Sequence, residues 1–128
     1  MGYTFDKTLN TTFDDAILQV TDALKTRGFG ILTKIDVQQT MLEKLNKEMH
    51  PYMILGACSP QHAFQALSLE DKIGSMMPCN VIVQEKTHGK IEVSAVDPVA
   101  SMTAVQNPSL RTIAGTVQTL LKEVIKGL

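Results

Sequence analysis

The chain has 128 residues, of which 44% are hydrophobic and 20% charged, so it matches the length and apolar content of one ordinary globular domain. Twelve basic residues stand against thirteen acidic ones, and Lys34, Lys44, Lys47, Lys72 and Lys86 are scattered among acids. That leaves no clustered basic surface of the kind that binds nucleic acid. No window approaches the roughly 18 uninterrupted apolar residues of a membrane helix, and the start through Asn10 lacks a signal-peptide pattern. Two cysteines in a chain of this length make no disulfide framework, so reduced thiols and a cytoplasmic location are expected.

Tyr3, Phe5 and Leu9 alternate with polar residues and predict a strand with one buried face. Thr12 is placed to cap a helix whose Phe13, Ile17, Val20 and Leu24 recur at helical spacing, with Asp15 near its positive end. Gly28 then supplies a left-handed stop. Phe29, Ile31, Thr33 and Ile35 read as a second alternating strand, and Asp36 as the cap of a short helix carrying Met41, Leu42 and Leu45, with Gln39 reciprocal to it. Tyr52 to Cys58 is apolar without a break, which suits a central strand better than an edge.

Ser59-Pro60 is an N-cap and first-turn pair for a third helix through Ala63, Phe64, Ala66 and Leu67. Residues 71–78, DKIGSMMP, read as a connecting loop. Val81 and Val83 lie on a fourth strand, and His88-Gly89 turns the chain into Ile91, Val93 and Ala95, making an antiparallel hairpin. Asp97-Pro98 opens a short helical stretch and Asn107-Pro108 a final helix with Leu110, Ile113, Val117, Leu120 and Val124 on one face. Gly115 inside that helix costs about 1 kcal/mol relative to alanine, which close packing against a neighbour would explain. The expected fold is a single α+β domain over 1–128, two-layered, with a mixed or antiparallel sheet of about five strands and helices on one face. A homodimer would cover the sheet's other face.

Chemistry concentrates at Gly56-Ala57-Cys58-Ser59-Pro60-Gln61-His62, where a thiol ends a strand directly before a helix N-terminus. The helix dipole there would lower the pKa of Cys58, and His62, one turn later, would reach back toward the sulfur. A thiolate beside an imidazole serves as a nucleophile or as half of a soft-metal site. Cysteine is equally a small apolar filler, and Cys79, in phase with Val81 and Val83, faces the core on that reading. Whether Cys58 and Cys79 meet depends on whether the chain between them returns to the same end of the sheet. Met76-Met77 beside Cys79 suggests a Cu(I) site of soft sulfur donors, although seven methionines also suit gap-filling in a core. No phosphate loop, dinucleotide fingerprint, nucleophile elbow or zinc-protease helix occurs.

The segments GACSPQHAFQAL at 56–67, IGSMMPCNVIVQE at 73–85 and VDP at 96–98 resemble the domain of unknown function 302 family, and the similarity runs over nearly the whole chain. Ser59 stands where the family pattern would lead one to expect Asn, a replacement of one good N-cap by another. The resemblance implies a small α+β fold and pairing as a homodimer, implies no activity, and strengthens an association of Cys58 with Cys79. Three functions follow as expectations. The first is a non-enzymatic homodimer binding a small ligand or metal in a groove bordered by Cys58, His62, Cys79 and Asn80, with Cys58, His62 and Cys79 as the metal ligands. The second is a thiol enzyme or redox protein with Cys58 as nucleophile, His62 as base and Cys79 as resolving thiol. The third is an interaction module whose cysteines are core filler.

Overall fold

The structure is a computed structural model that describes residues 2–128. Five strands, β1 (Thr4–Asn10), β2 (Gly30–Asp36), β3 (Tyr52–Cys58), β4 (Cys79–Thr87) and β5 (Lys90–Val96), form one sheet in the order β1-β5-β4-β3-β2. Every neighbouring pair is antiparallel, which settles the mixed-or-antiparallel alternative. The helices α1 (Phe13–Lys25), α2 (Val37–Leu45), α3 (Pro60–Leu69), α4 (Pro98–Ser101) and α5 (Leu110–Lys126) complete an α+β fold. Among the described residues no helix is long and apolar enough to cross a membrane.

The local signals act where the sequence puts them. Thr12 Oγ1 accepts from the Asp15 amide at 3.2 Å, and Asp36 Oδ1 accepts from the Gln39 amide at 2.9 Å, each satisfying a first-turn donor the helix leaves free. Gln39 does not reciprocate; its side chain donates to Glu43 one turn on. Gly28 and Gly89 take positive φ angles, 83° and 78°, at the end of α1 and in the β4–β5 turn. Asp97 caps α4 and also accepts from Gln118 Nε2 at 3.0 Å, tying the end of β5 to α5.

α1 and α5 pack on one face of the sheet. Val20, Leu24, Leu121 and Val124 bury themselves against Leu55, Val81, Val83 and Val93 in the main core. A second, smaller cluster of Ala66, Ile73 and Leu110 gathers α3, the following turn and the start of α5, with Met77 and Met102 against it. Ile73 belongs to a 3₁₀ helix over Asp71–Met76 in the segment expected to be a loop. Its burial, with 1% of its surface exposed, gives that turn a reason to be ordered.

Two expectations need correction. The alternation Phe29, Ile31, Thr33, Ile35 breaks, because the β2–β3 register shifts between Ile31 and Thr33. An extra residue reverses side-chain parity, so Thr33 comes opposite Gly56 and Ile35 opposite Ile54, with Ile35 47% exposed. Gly115 has no close neighbour, since a Cβ built there would meet nothing within 4 Å. Gly56 is the crowded glycine instead: a Cβ there would overlap Thr33 Oγ1 and lie 2.8 Å from Pro78 Cγ.

The two glycines therefore respond oppositely to the same substitution. Gly56→Ala is expected to destabilise by about 1–3 kcal/mol through overpacking, and Gly115→Ala to stabilise by up to about 1 kcal/mol through helix propensity. Urea unfolding of the two variants beside the parent decides it; equal midpoints would refute the steric account of Gly56.

Candidate functional site

The pairing of β3 with β4 assembles the site. Ala57 stands opposite Cys79 in the register, so the last residue of β3, Cys58, and the first of β4, Cys79, lie at the same end of the sheet. The chain between them, α3 and the 3₁₀ helix, leaves and re-enters at that end. The two cysteines are thus close along the backbone at one end of the sheet, and both are free thiols; Cys79 shares the core face of Ala57, and strand alternation gives Cys58 the other.

Beside them a cavity of about 50 Å³ opens between the sheet end, α3, α4 and α5. Its space comes from short side chains: Ala57 on β3, Ala63 and Ala66 on α3, and Ala114 on α5. Phe29, Leu110 and Val117 close the apolar wall. The polar and sulfur-bearing groups on the lining are Cys58, Ser59, His62, Cys79, Met77 and Met102. Three of the four residues singled out in the sequence, Cys58, His62 and Cys79, are therefore brought to one cavity. Asn80 does not line it: it pairs with Gly56, is exposed, and borders an adjoining depression that Met77, Pro78 and Cys79 also line. The contributions of Met102 and of the α5 residues were not signalled by the motifs, since nothing local in the sequence ties residues 102–117 to residue 58.

His62 does not serve the sulfurs. Ser59 Oγ lies 2.7 Å from His62 Nδ1, and the hydroxyl donates to the ring when the imidazole proton is on Nε2. Ser59 occupies the N-cap position of α3 but makes no side-chain cap bond, its hydroxyl being engaged with His62 instead. Among the described residues no hydrogen bond joins His62 to either thiol. Nor do three or more His, Cys, Asp or Glu side chains stand together as a metal-holding group among the described residues, so Cys58, His62 and Cys79 do not form a ready three-ligand site.

The electrostatics reverse the expected direction for Cys58. The adjacent helix end favours a thiolate, but burial holds the Cys58 thiol above its ordinary pKa. Burial, and secondarily the negative charge Cys58 would carry, push Cys79 up from 9.0 to about 11. Both thiols are protonated near neutral pH, and ionising one opposes ionising the other.

Two outcomes are expected. Alkylation by iodoacetamide, followed by peptide mass spectrometry, is slow at pH 7 and rises about tenfold per pH unit, with Cys58 labelled before Cys79; fast, pH-independent labelling at pH 7 would contradict protonated thiols. The raised pKa of Cys79 also makes stability pH-dependent. Because the folded state favours the neutral thiol, this contribution is complete below pH 9.0, where the unfolded thiol also keeps its proton, and is lost as pH rises toward 11. The loss is of order 2 kcal/mol, and Cys79→Ala removes that part of the slope in urea unfolding measured across the same range.

Comparison with known proteins adds the family. The crystal structure of an uncharacterized conserved DUF302 protein from Bacillus stearothermophilus superposes with a TM-score of 0.90 at 24% identity, covering 98% of each chain, a likeness of fold. No curated protein matches. The family model described as domain of unknown function DUF302 matches residues 5–128, through both cysteine motifs and the final helix, and the chain belongs to that family.

Proposed function

We propose that this is a non-enzymatic binding domain, working as a homodimer, that takes a small guest into the cavity bordered by Cys58, His62 and Cys79. The guest is either a ligand of a few heavy atoms or a soft metal ion. The observation that carries the reading is the cavity itself: an apolar space whose lining includes two cysteines, both with thiol pKa values raised by burial. Its size, about 50 Å³, falls well below the roughly 300–1,000 Å³ of sites for drug-sized molecules.

A thiol enzyme is the weaker reading. A nucleophilic cysteine needs a lowered pKa or a base within hydrogen-bond reach. Here burial raises both thiols, and the one nearby imidazole is engaged by Ser59. Asn80 lies outside the cavity, in the adjoining depression that Cys79 also lines.

The homodimer rests on surface that one chain leaves uncovered. Every residue of α2 is half-buried or exposed, although the helix carries Met41, Leu42 and Leu45, the last 62% exposed. Ile35 is also exposed, and Tyr52, Ile54 and Ile82 on the sheet face opposite the core are only half-buried. An exposed apolar patch of this kind suits a two-fold interface. Free thiols suit a reducing compartment such as the cytoplasm.

Native mass spectrometry of untagged protein purified under reducing conditions tests both parts. The expected result is twice the chain mass plus a small added mass that disappears on denaturation. Ala63→Leu, which fills the cavity from α3, is expected to lose the added mass and keep the dimer. A bare dimer would sink the guest, and a monomer at micromolar concentration would sink the pairing.

A further inference from the structure

The lining of the cavity sorts by depth. Its fully buried residues, among them Phe29, Ala57, Leu110, Ala114 and Val117, carry no polar side-chain atom. Every lining residue with a nitrogen, oxygen or sulfur in its side chain is only half-buried: Cys58, Ser59, His62, Met77, Cys79 and Met102. No Asp, Glu, Lys or Arg stands on the lining at any depth. Among the described residues no buried side-chain nitrogen or oxygen lacks a hydrogen-bond partner, so the deep wall holds no donor or acceptor for a polar guest to satisfy.

We propose that the guest is the small ligand rather than the metal ion, and that it presents an uncharged aliphatic group of about two to four carbons to Phe29, Ala57 and Ala114. The inference rests on the binding-domain reading above and names the chemistry of its guest. A charge carried into this space loses its hydration and meets no opposite charge, since both thiols are neutral near pH 7. Water gains little there, because a buried water needs roughly two to four polar partners. An apolar group loses nothing by entering and leaves water behind.

Size narrows the class further. A dry apolar cavity of roughly 150 Å³ takes up benzene, and this one, at about 50 Å³, is about a third of that. Such a space suits an ethyl to butyl group and refuses a ring. A group of this kind belongs to a free small molecule or ends a longer chain. The half-buried side of the lining, where Ser59 and His62 stand, gives a polar end or a longer chain its way out.

Titration of the reduced full-length protein with unbranched primary alcohols, followed by backbone-amide NMR, is the test. Saturable shifts at Ala57, Ala63 and Ala114 are expected, with affinity rising about fourfold per added methylene and levelling off near four carbons. Butyrate and butylammonium bind at least about tenfold more weakly than butanol. Ala63→Leu and Ala114→Leu each abolish the shifts, and urea unfolding of both identifies the variant that keeps the parent's midpoint. Octanol binding as well as butanol supports the proposal with the end of a longer chain as guest; refusal of octanol supports it with a free small molecule. Butyrate matching butanol would overturn the proposal, as would undiminished alcohol binding by a stably folded Ala63→Leu or Ala114→Leu variant. If all alcohols are refused while native mass spectrometry still finds an added mass that Ala63→Leu removes, this inference falls and the binding-domain reading stands. Refusal of all alcohols with no added mass sinks both.

Discussion

The antiparallel pairing of β3 with β4 is the constraint on which the rest of the molecule depends. A helical crossover between neighbouring strands ordinarily joins parallel strands, and then the end of one strand and the start of the next lie at opposite edges of the sheet. Here α3 and the 3₁₀ helix make a connection of that length, yet β4 runs back against β3 with Ala57 opposite Cys79. Two residues twenty-one positions apart in sequence numbering, 58 and 79, come to one end of the sheet for this reason alone. The same pairing demands Gly56, because Thr33 from β2 and Pro78 from the approach to β4 converge on the space a side chain would need.

The cavity follows from how the two apolar clusters share α5. That helix puts Leu110 into the smaller cluster and Val117, Leu121 and Val124 into the main one, so one rigid element spans both. Between those contacts it presents Ala114, and α3 presents Ala63 and Ala66 across from it. Interiors normally close such gaps, since a void forfeits dispersion contacts on its lining. Short side chains on helices that are held apart by the flanking clusters cannot collapse the space. The opening is therefore fixed by the spacing of the helices rather than by any one lining residue.

Much of this was legible because it is local. The caps at Thr12, Asp36 and Asp97, the left-handed Gly28 and the β4–β5 turn at Gly89 are written within four residues of where they act. What was not legible is set by residues far away in sequence. The parity of β2 is reset by a bulge, and no alternation pattern announces where an extra residue enters. Ile73 orders a 3₁₀ turn because Ala66 and Leu110 bury it, not because DKIGSM favours a helix. At the site, Cys58 beside a helix N-terminus is a local fact, but the burial that raises its pKa is a property of the folded chain. Asn80 looked like part of the Cys79 motif, and the alternation of a strand puts adjacent residues on opposite faces.

The raised thiol pKa values bear on the choice between filler and ligand. A protonated, desolvated thiol is a poor nucleophile and resists alkylation and oxidation, which is why an enzyme would be expected to lower it. A metal ligand faces a different requirement, because the ion competes with the proton for the same lone pair and only its affinity relative to the proton matters. Burial disfavours the free thiolate but disfavours the neutral or singly charged metal–thiolate unit much less, since the ion cancels most of the charge that burial penalises. An apolar cavity bordered by protonated thiols therefore keeps them unreactive toward electrophiles near neutral pH.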